Sequence, residues 1–108
     1  MAKKTIKKAK IIARDYVNFL EKDGLPIKQA LLFGSYAKGK QHKDSDIDIC
    51  IISPKFKDHF KAIQYLLRQR RSSDVDMGIE PVGYSPQDFA EDENPFVWEI
   101  KKTGIRIL

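Results

Sequence analysis

Apolar residues at Ile6, Ala9, Ile12, Ala13, Tyr16, Val17 and Leu20 recur three and four apart, which predicts an amphipathic helix from Thr5 to Lys22. Gly24 before Pro26 supplies its stop. Ile27 to Phe33 reads as a short strand ending at Gly34, and Ile47 to Ser53 as a second, β-branched strand ended by Pro54. Only a very short helix fits between them. Phe60, Ile63, Leu66 and Leu67 share one face of a helix predicted over Phe56 to Arg71, and Ser72-Ser73 breaks it. Val75 to Val82 alternates as a third strand. Ser85-Pro86 marks a helix start, Pro95 to Lys102 a short helix capped by Gly104, and Ile105 to Leu108 a last strand. A helix between strands two and three permits a parallel crossover, whereas strands one and two are joined too tightly for one. The expected fold is therefore α+β: a mixed sheet with helices packed mainly on one face.

Composition narrows this to one domain over residues 1–108, because 108 residues with 42% hydrophobic content and a single Trp98 suit one modest core. No apolar run approaches the roughly 18 to 20 residues that cross a bilayer, and the lysine-rich start lacks the apolar stretch of a signal peptide. The expectation is a cytoplasmic protein without a membrane partner. Cys50 stands alone in an apolar run and reads as a buried thiol, so neither an internal disulfide nor a cysteine metal site is expected. The net charge of +5 permits phosphate-bearing partners. Its distribution reads as solvated faces: Lys3, Lys4, Lys7, Lys8 and Lys10 near the start, Arg68, Arg70 and Arg71 later, and the acidic Asp88, Glu91, Asp92 and Glu93. No aromatic residue interleaves the first lysines before Tyr16, so nucleic acid is not an expected partner.

Gly34-Ser-Tyr-Ala-Lys-Gly-Lys-Gln41 comes within one residue of the phosphate-binding loop GxxxxGK[ST]. That loop needs a hydroxyl after its lysine to reach magnesium, and a long helix behind it. Here Gln41 takes that place and a strand follows soon after, so the resemblance fails. The first half keeps its physics. A strand ending in Gly34-Ser35 and turning into a helical turn exposes amides to an anion, with Ser35 as a cap and Gly39 as a left-handed stop.

Asp44-Ser-Asp46-Ile-Asp48 then leads into the second strand. Side chains two apart share a face, so Asp46 and Asp48 converge, about 6 to 7 Å apart at Cα. Cys50 and Ile52 continue that face while Ile47, Ile49 and Ile51 fill the other, so the strand is buried on both sides beyond an acidic entrance. Like charges beside a core call for a cation, and oxygen-only ligands favour magnesium, manganese or calcium over zinc. A calcium loop of the EF-hand kind would need Gly at position 49 and Glu at position 55, where Ile49 and Lys55 stand. On the third strand Asp74, Asp76, Gly78 and Glu80 fall on one face; Asp76, flanked by apolar residues as Asp48 is, is the choice for a third ligand, with Asp74 as runner-up. Three carboxylates facing a phosphate-binding turn form the layout of two-metal phosphoryl or nucleotidyl transfer.

Gly34-Ser35-Tyr-Ala37-Lys-Gly39 followed by Ser45-Asp46-Ile-Asp48 resembles the GSxAxGx(n)SDxD signature of the DNA polymerase beta-like nucleotidyltransferase superfamily. The small size and the ending Pro95-Phe-Val-Trp-Glu-Ile-Lys-Lys-Thr-Gly-Ile are similar to its minimal members. The resemblance implies a nucleotidyltransferase fold in which Asp46, Asp48 and Asp76 are catalytic and hold two magnesium ions, manganese being an alternative. It implies ATP as substrate, held by Gly34, Ser35, Lys38, Gly39 and Ser45. Lys38 stands where the family commonly has Arg, which keeps the charge and loses the forked geometry. The implied reaction is transfer of AMP to a hydroxyl, with an acceptor supplied by a second polypeptide or another subunit. The resemblance points to a tyrosine of a HEPN-domain toxin, the chain acting as antitoxin. The alternative is a catalytically silent, nucleotide-binding partner module.

Overall fold

The computed structural model describes residues 5–42 and 45–108. Lys3, Lys4 and Asp44 lie outside the described residues. Helix α1, Ile6–Lys22, starts where the periodicity places it, because the Thr5 hydroxyl accepts the Lys8 N–H at 3.1 Å and caps an otherwise orphan donor. Ala9, Ala13, Tyr16, Val17 and Leu20 form its buried stripe. Strands β1, Gln29–Phe33, and β2, Ile47–Ile52, pair antiparallel with Leu31 opposite Cys50 and Phe33 opposite Asp48. Helix α2, His59–Arg68, crosses to β3, Ile79–Tyr84, which runs parallel to β2. In that ladder Asp48 faces Glu80 and Ile47 faces Ile79.

Between α2 and β3 lies the short helix α3, Ser72–Asp76. The chain then forms α4, Pro86–Phe89, capped by Ser85, and α5, Pro95–Thr103, capped by Asn94. The last strand β4, Ile105–Arg106, pairs antiparallel with β1, so the sheet order is β3-β2-β1-β4. The mixed α+β sheet is as the element order implies.

Two apolar clusters flank the sheet. The larger joins Ile47, Ile49 and Ile51 of β2 to the buried faces of α1 and α2, so these long helices cover one face. The smaller, on the Cys50 and Ile52 side, gathers Tyr84, Phe89, Val97 and Ile100, so the short α4 and α5 cover part of the other. Cys50 is fully buried, and burial pushes its thiol well above the usual range. Each fully buried isoleucine contributes about 1.5–3 kcal/mol, which makes β2 the most firmly held strand.

Two local expectations are corrected. The strand expected over Val75 to Val82 begins only at Ile79. Asp74 accepts the Arg71 N–H at 2.8 Å, a local bond that starts a helical turn, and Gly78, at φ +81, ends it. The apolar alternation was misleading there: Val75 and Met77 are 51% and 39% exposed. The short helix expected after Gly34 is instead a turn, closed by main-chain bonds from Lys38 to Gly34, Gly39 to Tyr36 and Lys40 to Ser35. Among the described residues, no helix is long and apolar enough to cross a membrane.

Candidate active site

Asp48 is the second residue of β2, flanked in the sheet by Phe33 on one side and Glu80 on the other. Gly34 follows Phe33 with φ +73, a left-handed conformation that only glycine adopts cheaply. A second reason for glycine is steric: a Cβ at position 34 would land on the Asp48 Oδ2 atom, far inside van der Waals contact. The carboxylate thus lies directly against the start of the turn. Burial, then Asp46, then Glu80 push its pKa up to about 6.

Asp46 is exposed and enters β2 beside Gly78. Ile47 N–H donates to the Gly78 carbonyl at 2.8 Å, which locks the start of β2 to the loop ahead of β3. A groove of about 460 Å³ opens over this end of the sheet, lined by Asp46, Asp48 and Glu80 and walled by Phe33, Pro81 and Phe96. Phe33 and Phe96 meet edge to face at 5.7 Å. The Glu80 side chain is half-exposed, with Arg70 Nη1 3.8 Å away. Arg70 is itself steadied by donating to the carbonyls of Ile79 and Leu67.

Tyr36 is fully buried and anchors the 34–39 turn in the larger core. Among the described residues, the amides at 35–37 donate to no main-chain carbonyl. Lys38 reaches α5, where its Nζ pairs with Glu99 Oε1 at 3.0 Å. Gly39, at φ +70, closes the turn. Ser45 turns inward: its buried hydroxyl accepts the His42 N–H at 2.8 Å and pins the approach to β2, away from the groove.

The structure therefore brings Gly34, Ser35, Asp46 and Asp48 to one end of the sheet. Asp76 does not join them as expected. It ends α3, exposed and outside the groove, because the segment that was to carry it as a strand is helical. Nor is Asp74 a substitute, being buried and held by Arg71 Nε at 2.9 Å and Nη2 at 3.0 Å. Glu80 instead lines the groove with Asp46 and Asp48. Its signal was present in the sequence: Ile79-Glu80-Pro81 flanks an acid with apolar residues as Ile47-Asp48-Ile49 does.

Asp46, Asp48 and Glu80 are an all-oxygen donor set suited to magnesium or manganese. The rise at Asp48 is the strain that a divalent cation would relieve. Among the described residues no three such groups stand close enough together to hold a metal ion as they are.

The sequence profile of the nucleotidyltransferase domain matches residues 12–104. A Methanocaldococcus jannaschii protein assigned as a protein adenylyltransferase is 40% identical over 68 residues, spanning 58% of this chain and 67% of that one. The protein adenylyltransferase MntA of Shewanella oneidensis is 36% identical over 64 residues, 58% of this chain. The match spans 45% of MntA, less than half its length. Among solved structures, a Sulfolobus solfataricus chain assigned to the nucleotidyltransferases superposes with TM-score 0.65 at 17% identity, covering 95% of this chain and 86% of that one. A toxin–antitoxin structure with AMP-PNP superposes with TM-score 0.60 at 24% identity, covering 87% and 71%. Both share the fold.

Proposed function

Because this chain belongs to the nucleotidyltransferase domain family, we propose that it transfers AMP from ATP to a hydroxyl of a partner protein and releases pyrophosphate. The observation that carries this reading is the Asp48 carboxylate, lodged between the Gly34 turn and Glu80. The turn that would hold phosphate thus lies against the acid that would hold metal. Asp46, Asp48 and Glu80 would hold magnesium or manganese, which when bound supplies the positive charge that screens the triphosphate. The amides at Gly34 and Ser35 orient the triphosphate. Lys38, released from Glu99, adds a charge to it, and Gly39 closes the turn around it, while Ser45 pins the approach to β2.

In the reaction the acceptor oxygen bonds to the α-phosphorus as the bond from that phosphorus to the β-phosphate oxygen breaks, and the hydroxyl proton passes to Glu80. Phe33, Pro81 and Phe96 wall the groove and limit water beside the reacting atoms.

The two relatives named for protein adenylylation support a protein acceptor. The fold shared with a toxin–antitoxin assembly agrees with a toxin as that acceptor. We take the acceptor to be a tyrosine of a HEPN-domain toxin, with this chain as its cytoplasmic antitoxin. The second reading is neutralisation by contact with a silent nucleotide site, favoured by the open, unclustered carboxylates.

Purified protein, magnesium, α-labelled ATP and the product of the neighbouring gene distinguish the two. Transfer predicts a labelled partner, lost in Asp46→Asn and Asp48→Asn. A partner neutralised without label, and equally well by both variants, establishes contact alone.

A further inference from the structure

At the opposite end of the sheet from Asp48, the chain leaving β2 and the start of α2 enclose a second cavity of about 480 Å³ that shares no residue with the catalytic groove. Its floor is apolar: Leu25, Phe56 and Ala62 are at most 7% exposed, and the Tyr65 ring packs edge to face on Phe56 at 6.2 Å. Three lysines, Lys55, Lys57 and Lys61, stand exposed on the rim.

Two acids, Asp23 and Asp58, also line the cavity, so its three lysines leave a net charge of +1 there. Asp58 caps α2 by accepting the Lys61 N–H at 3.1 Å, and Asp23 accepts from Gln69 Nε2 at 3.3 Å. Among the described residues none of the three lysines forms an ion pair. Of the cations that sit over aromatic rings elsewhere, Lys101 is paired with Asp92 and Arg71 with Asp15 and Asp74, whereas Lys102 over Trp98 is in no ion pair among the described residues. An apolar floor of ligand size with unpaired ammonium groups at one rim is complementary to a body that is flat and apolar at one end and anionic at the other.

We propose that this cavity is a binding site, separate from the catalytic groove, for a small aromatic molecule bearing a sulfonate, phosphate or carboxylate. The ring lies on Phe56 and Tyr65 and the anion meets Lys55, Lys57 and Lys61. The site does not depend on the nucleotidyl-transfer reading, because no catalytic candidate touches it.

The test uses 8-anilinonaphthalene-1-sulfonate as probe, followed by fluorescence and by NMR of the Leu25 methyl and Tyr65 ring resonances. The expected result is saturable binding with shifts confined to those residues, weakened about tenfold in the triple variant Lys55→Gln, Lys57→Gln, Lys61→Gln and unchanged in Asp48→Asn. The thermal midpoint of the triple variant is measured alongside, so that unfolding is not read as loss of the site. Inorganic phosphate at the probe's concentration is expected not to displace it, since it has no apolar body. Equal affinity of the folded triple variant, full displacement by phosphate, or shifts centred on Phe33 and Phe96 would each overturn the assignment.

Discussion

Asp48→Asn removes the charge that the fold tolerates least, and the expected effect is a gain of stability coupled to a loss of function. The Asp48 pKa rises from 3.8 to about 6, chiefly through burial. Two units correspond to about 3 kcal/mol, and solvent at the open groove screens this to about 1.5 kcal/mol. The folded-state value lies above the unfolded one, so the native protein binds this proton more tightly. The associated stability is fully present below pH ~4 and is lost as pH rises through about 6. Asn does not titrate. Thermal melts in EDTA should therefore coincide for the two proteins at pH 4 and separate by roughly 8 °C in favour of Asp48→Asn at pH 7. Added magnesium should raise the midpoint of the wild-type protein alone, because an ion that binds only the native carboxylates stabilises by mass action. Melts that coincide at pH 7, or a gap that persists unchanged at pH 4, would refute this assignment of strain to the Asp48 charge.

Glu80→Gln should reduce labelling of the partner by on the order of 100-fold while Asp76→Asn stays near wild type; the reverse pattern in the labelled-ATP assay would return the third role to Asp76. Gly34→Ala should cost about 1–2 kcal/mol in urea unfolding through its left-handed backbone, and should also lose labelling under conditions where it remains folded, because the new methyl displaces the Asp48 carboxylate. Arg71→Ala strands the buried Asp74 carboxylate and should lower the unfolding free energy by about 2 kcal/mol, with transfer retained in the folded protein since neither residue reaches the groove.

Much of the fold was legible because its determinants are local. The stripe from Ile6 to Leu20, the Ser85-Pro86 helix start and the isoleucines of β2 each carry their own periodicity or hydrogen bond, and each element appears where that signal lies. The pair Asp46 and Asp48 was legible for the same reason: spacing of two on a strand sets a shared face. The segment from Ser72 to Gly78 was not. Its alternation of Val75, Met77 and Ile79 fits a strand, yet the Asp74 bonds to Arg71 and the left-handed Gly78 favour a turn of helix. The core covers neither Val75 nor Met77 to reverse that preference.

By itself, then, the sequence determined which residues could be catalytic and on which local element most of them ride, because side-chain type and short-range hydrogen bonding are properties of a few consecutive residues. The tertiary structure alone decided that Glu80 rather than Asp76 stands across from Asp48, that Gly34 is needed to make room for a carboxylate fourteen positions away, and that Lys55, Lys57 and Lys61 gather over an apolar floor. Those are matters of strand register and of surfaces meeting from distant parts of the chain, set by which pairing buries the isoleucines of β2 on both faces.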